Sequence, residues 1–357
     1  MWQLMICMIV FYSNSMANLF DRLLDTTIYF SFDRSGFERH RRDFVAGDLA
    51  VDLTGKRILI TGANSGLGRS SAHALSNLGA EVWLLCRNRE RGETALEDIR
   101  FATDNGAVRL ELVDVSDMGS IRDFVGRLGD LPVDCVVHNA GVLPSTRAET
   151  ADGLEVTWAT NVVGPFLLTA LLEPNLRRAA HHHARGDARV INVTSGGMYT
   201  QRLDLWDTQW TSRDFDGVVA YAQTKRAEVI LTELWAEYFG DPGSGITVHS
   251  MHPGWADTPS VREALPKFWR FTRNRLRSPR QGADTIVWLA ACERLGDETG
   301  RLYFDRRAVA THLLPGTRES TDDRRRLWEL CCEQSGWAPD RAIRGDDGGA
   351  GAGPCAR

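Results

Sequence analysis

The sequence predicts an α/β fold, a doubly wound parallel sheet with helices on both faces. Three observations carry that expectation. From Lys56 onward, short apolar or β-branched runs alternate with longer helix-like segments. The runs show no in-and-out alternation of polarity, so each is expected to be buried on both faces of the sheet. Glycine or Asn/Asp turns separate the two kinds of segment, which is the rhythm of strand–helix–strand units.

Seven runs read as strands: KRILIT from Lys56, AEVWLLC from Ala80, AVRLELVD from Ala107, VDCVVHN from Val133, DARVINVTS from Asp187, GITVHSMHP from Gly245 and GRLYFD from Gly300. Helices are expected from about Gly66, Arg89, Asp117, Asp152, Val218 and Arg280. A chain of 357 residues with 43% hydrophobic content can fill one large core. Residues 55–337 are therefore expected to form a single domain. Residues 338–357, with DDGGAGAGP and no apolar periodicity, read as a disordered tail.

The amino-terminal segment divides in two. MWQLMICMIVFY, within residues 1–15, is almost wholly apolar but shorter than the roughly 18–20 residues of a membrane span. It lacks the basic start and small-residue cleavage site of a signal peptide. It reads as an apolar leader or as a mis-assigned start, Met16 being the alternative. Within residues 16–54, Leu19, Phe20, Leu23, Leu24 and Ile28 recur at helical spacing. That pattern is expected of an amphipathic helix docked on the protein's own body or lying on a membrane surface.

Charge is mixed, 47 acids against 42 Lys plus Arg, which argues against a nucleic-acid partner. Seven scattered cysteines suit neither a zinc site nor a disulfide scaffold and point to a reducing, cytoplasmic compartment. His181–His183, in HHHARGD, read as a loop insertion, and no metal site is expected. Assembly into a homo-oligomer is left open.

In a doubly wound sheet, ligands bind beyond the carboxyl ends of the strands. The first strand ends in TGANSGLG, which supplies Thr61, Gly62, Asn64, Ser65, Gly66, Leu67 and Gly68. Glycines there let the backbone approach a pyrophosphate, and the helix that follows offers free N–H groups and the positive end of its dipole. Asp114 and Val115 close the third run; Asn139, Ala140 and Gly141 follow the fourth. The Asp can accept from an adenine amino group. The Asn-Ala-Gly turn can approach the same ligand or lock neighbouring strands together. The fifth run ends at Ser195; after the sixth come Pro253, Gly254 and Thr258, the last placed to bond a carboxamide.

YAQTK sets Tyr221 one helical turn before Lys225. A phenol is a weak acid at neutral pH unless something favours its anion, and a nearby ammonium does so. With Ser195 to hold a carbonyl, the pair forms an acid/base device for reducing a carbonyl or oxidising an alcohol. The residue after the second run faces an adenosine ribose in such folds. Arg87 stands there with no acid at Cys86, Arg87 or Asn88, which favours NADP(H) over NAD(H).

Taken together, these motifs resemble the short-chain dehydrogenase/reductase superfamily from about Gly55 to Phe304. The resemblance rests on TGANSGLG, HNAG, Asn161 in NVVGPF, Ser195, YAQTK and the Pro-Gly turn followed by Thr258. It implies a Rossmann-type fold. It also implies that Tyr221 exchanges the proton at the substrate oxygen and that Lys225 assists it and holds the nicotinamide ribose. Ser195 would steady the carbonyl and Asn161 would support a water-linked proton relay. His138 departs from the family pattern, where an Asn is usual. A cofactor-binding regulatory protein on the same fold is the alternative, but it would be favoured by loss of Tyr, Lys or Ser. A sugar-nucleotide epimerase is disfavoured by the glycine spacing. Trp255, Leu265, Phe268, Trp269 and Phe271 are expected either to wall an apolar pocket for a small-molecule, hydrophobic carbonyl or alcohol or to pack a short helix on the body.

Overall fold

The computed structural model describes residues 24–25, 28–182, 188–241, 243–296, 298–313, 316–341 and 343. The 1–15 leader, Leu19, Phe20, Leu23, His183 and most of the expected tail lie outside the described residues.

Eight strands form one sheet: β1 Arg57–Thr61, β2 Glu81–Cys86, β3 Arg109–Leu112, β4 Cys135–His138, β5 Ala188–Val193, β6 Ile246–Met251, β7 Arg301–Phe304 and β8 Arg307–Val309. Their order is β3-β2-β1-β4-β5-β6-β7-β8. The first seven are mutually parallel and correspond to the seven expected runs. β8 returns antiparallel to β7. Its hairpin turns through Asp305 and Arg306, both with positive φ (47° and 59°). A two-residue turn of that geometry normally carries Asn-Gly or Asp-Gly, and here Arg306 replaces the Gly, so the sequence gives only half of the signal.

Strand order reverses between β1 and β4, which opens a crevice beyond their carboxyl ends. β1 shows why the sheet must be covered twice. Leu59 packs into one core with Val136, Phe166 and Trp235; Ile58 and Ile60 pack into another with Val137, Ile286 and Leu289. Each buried side chain of this kind contributes about 1.5–3 kcal/mol.

The helices among the described residues include α1 Ile28–Phe32, α2 Arg34–His40, α3 Gly66–Asn77, α4 Arg89–Thr103, α5 Met118–Leu128, α6 Gly164–His182, α7 Gly217–Tyr238, α8 Pro259–Ala264, α9 Pro266–Thr272, α10 Pro279–Ala291 and α11 Thr321–Ser335. The helix expected from Asp152 begins at Val156. Glu155 takes the cap, its carboxylate accepting from the backbone N–H groups of Thr157 and Trp158 at 2.8 Å each. Asp152 instead accepts from Met118 N at the start of α5 (3.0 Å). The helical stretch Val156–His181 is long and apolar enough to cross a membrane, but most of it is buried in the first of the two cores.

α1 and α2 belong to the segment ahead of β1 and are fastened to the far end of the sheet. Asp33 links them, its Oδ1 accepting from Gly36 N (3.1 Å) and its Oδ2 from Arg275 Nε (2.7 Å). His40 lies between two carboxylates, Asp305 (2.6 Å) and Asp25 (2.9 Å). Burial acts to lower the His40 pKa from its ordinary 6.5, but the two carboxylates outweigh it and the net shift is upward. A raised folded value means that the charged imidazole adds stability in full below 6.5 and that this is lost as pH rises through the folded value. The His40→Gln variant should therefore melt below wild type at about pH 6, with a gap that narrows toward about pH 9. A gap independent of pH would show that His40 acts by packing alone.

Candidate active site

The glycine turn after β1 is built around Thr61, which is buried. Its Oγ1 accepts from the backbone N–H groups of Asn139 and Ala140 (3.0 Å each) and donates to the Val137 carbonyl (3.3 Å). Asn139 returns the tie: its Nδ2 donates to the carbonyls of Thr61 (2.9 Å) and Gly62 (3.3 Å). The Asn-Ala-Gly segment thus locks the β1 and β4 loops together. Space dictates the glycines. A Cβ at Gly68 would lie 2.5 Å from Asn139 Nδ2 and 2.6 Å from the Gly62 carbonyl, and Gly62 and Gly66 hold φ of +65° and +54°. α3 starts at Gly66 after Ser65, with no side-chain cap and no acid in its first turn. Asn64, Ser65 and Leu67 remain partly exposed around it. Its leading N–H groups are left for an anion, which is the cradle a dinucleotide pyrophosphate fits.

Arg87 and Asp114 stand at neighbouring strand ends. Arg87 is 66% exposed, and its Nη1 lies 3.8 Å from Asp114 Oδ2. Asp114 Oδ1 is occupied by the Ser116 N–H (2.9 Å) and hydroxyl (2.6 Å). Val115 lies where α6 comes closest to the β3 loop: a Cβ at Gly164 would sit 1.9 Å from its carbonyl oxygen. Thr258 caps α8, its Oγ1 accepting from Val261 N (3.3 Å), and its methyl would be 3.3 Å from a Cβ on Gly66. The loop after β6, with Pro253 and Gly254 (φ +67°), is thereby laid against the glycine turn.

Asn161 occupies a π turn, Ala159–Val163, just before α6. The Gly164 N–H reaches back five residues to the Ala159 carbonyl. Pro165 has no N–H to offer the Asn161 carbonyl in the ordinary helical pattern, so a wider turn is favoured there. Fully buried, the Asn161 amide accepts from Val142 N (3.0 Å) and donates to the Val142 carbonyl (3.2 Å) and Thr224 Oγ1 (2.9 Å).

Tyr221 and Lys225 share the inner face of α7, which Asp216 caps by accepting from Val218 N and Val219 N. Lys225 is buried, and its Nζ donates to the Val193 carbonyl (3.0 Å) and to Glu228 Oε1 (2.6 Å). Burial pulls the Lys225 pKa down, but Glu228 and Tyr221 more than offset this and hold the amine as an ammonium. The Nζ is 5.5 Å from the centre of the half-buried Tyr221 ring. Asn161 and Lys225 meet at Gly141, where a Cβ would lie 3.3 Å from Lys225 Nζ and 3.4 Å from Asn161 Oδ1. Ser195 follows β5, and its Oγ accepts from Gly197 N (3.2 Å). Its neighbour Thr194 donates to the Lys225 carbonyl (2.8 Å), so the strand end and α7 are fixed to each other. The structure thus gathers Gly141, Asn161, Ser195, Tyr221 and Lys225 at the ends of β4 and β5. Arg87 and Asp114 lie at the β2–β3 side of the same edge.

His138, the departure from the family pattern, is buried at the end of β4 and shares a hydrogen bond with Thr169 Oγ1 (2.8 Å). Burial pushes its pKa down to about 3, so it stays neutral.

Two features escaped sequence reasoning. Glu228 was visible as the first of three acids in an apolar helical run, three residues past Lys225. Phe32 gave no such sign. Its ring is packed against Gly196, directly after Ser195, so that a Cβ there would lie 2.3 Å from Phe32 Cε2. Its carbonyl accepts from Trp255 N (2.8 Å), and Tyr29, Trp255 and Phe268 continue an aromatic wall with centroid spacings of 5.7 and 5.3 Å. Of the other expected wall residues, Phe271 points to solvent at 79% exposure, and Trp269 donates to Asp257 Oδ1 (2.9 Å).

A parallel sheet with a glycine-turn cradle beside a Tyr/Lys helix is the framework of a nucleotide-dependent oxidoreductase. The short chain dehydrogenase family model matches residues 56–267, and the chain belongs to that family. It is 41% identical over 292 residues to human dehydrogenase/reductase SDR family member 12, covering 81% of this chain and 89% of that one. To human retinol dehydrogenase 12 it is 34% identical over 302 residues, covering 83% and 92%. Among solved structures, an uncharacterized protein from Mycobacterium Paratuberculosis aligns with a TM-score of 0.64 at 26% identity, covering 80% of this chain and 96% of that one. The protein is accordingly an NAD(P)-dependent oxidoreductase acting on CH–OH groups.

Proposed function

We propose that this enzyme uses NADP(H) to interconvert a hydrophobic alcohol and its ketone or aldehyde, with Tyr221 exchanging the proton at the substrate oxygen. The observation that carries the reading is the convergence of Lys225, Asn161 and Gly141 beneath Tyr221, on a frame that holds Lys225 charged. Lys225 favours the phenolate electrostatically and has a further N–H for a ribose hydroxyl. Ser195 orients the carbonyl, and Asn161 anchors the turn through which protons are resupplied. The cofactor would lie along Thr61–Gly68, Arg87, Asp114, Val115, Asn139–Gly141, Lys225 and the Pro253–Thr258 loop. When bound, it supplies or takes the hydride. The aromatic wall of Tyr29, Phe32, Trp255 and Phe268 favours an apolar substrate, and the likeness to a retinol dehydrogenase is a reason to try a retinol-like alcohol early. The contact with Phe32 extends the functional unit upstream of residue 55.

The test is a screen of aldehydes, ketones, retinoids and steroids that follows reduced nicotinamide by absorbance. Tight NADPH binding with no turnover across the panel would favour a catalytically silent cofactor-binding protein.

Cofactor choice has its own test. Arg87 is exposed and only distantly paired, so it is available to a 2′-phosphate. A charge-assisted hydrogen bond is worth about 1.5–3 kcal/mol, so NADPH should bind on the order of 10–100 times tighter than NADH. Calorimetric titration should show most of that preference lost in Arg87→Asp. Equal affinities in the wild type would overturn the assignment.

A further inference from the structure

Glu228 lies one helical turn beyond Lys225, sealed beneath the site. Its side chain is only 6% exposed, its Oε1 receives the Lys225 ammonium at 2.6 Å, and its Oε2 has no hydrogen-bond partner among the described residues. A buried carboxylate normally fills its acceptor sites, because an unmet one costs free energy in a low-dielectric interior. Here the acid is half satisfied, and its one partner is the amine on which Tyr221 depends.

We propose that Glu228 is a positioning residue that sets the charge felt by Tyr221: as a carboxylate it cancels the Lys225 ammonium, and as a carboxylic acid it leaves that charge unopposed. This rests on the reading of Tyr221 as the acid/base group. The geometry gives the reason. Two of the three Lys225 N–H groups are committed, to the Val193 carbonyl and to Glu228, and the oppositely charged oxygen is far nearer to the amine than the phenol ring is.

Among the described residues, the surroundings offer Glu228 no second counter-charge. On α7 it has Tyr221, Lys225 and Thr232, whose hydroxyl donates to the Glu228 carbonyl (2.8 Å). The next acid and base on that helix are committed elsewhere: Arg226 to the carbonyls of Gln201, Met198 and Thr311, and Glu233 to Arg324 of α11. From β5 come Asn192, bonded to Thr232, and Thr194, bonded to Lys225; Arg189 turns to the other face, donating to the Leu289 carbonyl. From β6 come Ser250 and, just beyond, His252, kept neutral by burial at about 3; His249 is turned toward Tyr303 and is also neutral, at about 4. From β7, Arg301 is exposed, and Asp305 is held by Arg277 and His40. Tyr199, in the turn packed on α7, donates to the Ala310 carbonyl. Burial, only partly offset by Lys225, lifts the Glu228 pKa to about 7, so both charge states are accessible near neutrality.

Glu228→Gln is the decisive variant, since the amide keeps the size and an oxygen acceptor for Lys225 and removes only the charge. Tyrosinate absorbance, taken as the difference from Tyr221→Phe, should appear at lower pH in Glu228→Gln than in wild type. At a fixed alkaline pH on the rising limb, the variant should show about tenfold more phenolate. With a carbonyl or alcohol from the screen, the rise of kcat for oxidation should move the same way while KM changes little. Infrared pH-difference spectra of the unsubstituted protein should show a carboxylic-acid band lost through about pH 7, which tests the idea even if the variant fails to fold. Superimposable tyrosinate titrations, or no such band, would overturn the proposal. The tyrosinate and infrared readings need no substrate, so failure of the carbonyl screen would count against the proposed reaction and not against Glu228.

Discussion

Tyr221→Phe is expected to bind NADPH much as wild type does and to turn over about 10²–10⁴-fold more slowly, the usual worth of a general acid/base. The structure makes this a narrow change. Lys225 is held by the Val193 carbonyl and Glu228 rather than by the phenol, so removing the hydroxyl leaves the ammonium in place. The hydrogen bond at this turn of α7 runs from Thr224 Oγ1 to the Tyr221 backbone carbonyl (2.7 Å), which a Phe retains. The glycine cradle is tied to Asn139, just after β4, and makes no use of the phenol. Single-turnover rates and cofactor titration on the same preparation separate the two effects. Near wild-type turnover would remove Tyr221 from the mechanism; loss of NADPH binding would show that it supports the cofactor instead.

Much of this layout was legible because it is written in short-range pattern. Buried parallel strands leave apolar runs, and the dinucleotide turn leaves glycines at fixed offsets, as at Gly62, Gly66 and Gly68. What stayed hidden depends on contacts distant in sequence or on unusual backbone. β8 follows a turn in which Asp305 is a usual positive-φ residue but Arg306 stands where the hairpin signal has Gly. Asp305 is bound on both sides by Arg277 and His40, and those contacts offset the roughly 1–2 kcal/mol that a left-handed residue costs. The helix expected from Asp152 was displaced because two acids three residues apart compete as caps, and Asp152 is used by another helix. Phe32 was unreadable for a simpler reason: nothing in FSFDRSGF shows that the segment crosses to the end of the sheet and meets Gly196.

Several of that crossing's contacts meet at one buried guanidinium, and breaking its ion pair should be costly. Asp305→Ala is expected to destabilise the protein by about 3–5 kcal/mol, the usual cost of stripping one partner from a buried ion pair. Arg277 is 1% exposed, and its two terminal nitrogens donate in parallel to the Asp305 carboxylate at 2.6 and 2.8 Å. Its remaining hydrogen bonds go to the carbonyls of Ser31 (2.9 Å), Asp33 (3.2 Å) and Pro253 (3.3 Å). One guanidinium therefore pins the α1–α2 segment to the loop that follows β6, with the Phe32 ring on Gly196 just beyond. Without Asp305 the charge is left in a site from which water is excluded, and His40 loses its closer carboxylate as well. The chain relieves this by letting the segment lift, because three uncharged carbonyls cannot replace a carboxylate. Denaturant unfolding should show the loss, and hydrogen exchange should place the first loss of protection in residues 28–40 and at Trp255. At temperatures where the variant is still folded, KM for an apolar carbonyl should rise more than kcat falls, since the aromatic wall moves while Tyr221 and Lys225 stay on α7. Replacing both partners, as Arg277→Met with Asp305→Leu, should cost less than Asp305→Ala alone, because no charge is then stranded. If the single variant unfolded within about 1 kcal/mol of wild type, the pair would have to be reached by water in solution, and the segment would be held by its aromatic packing instead.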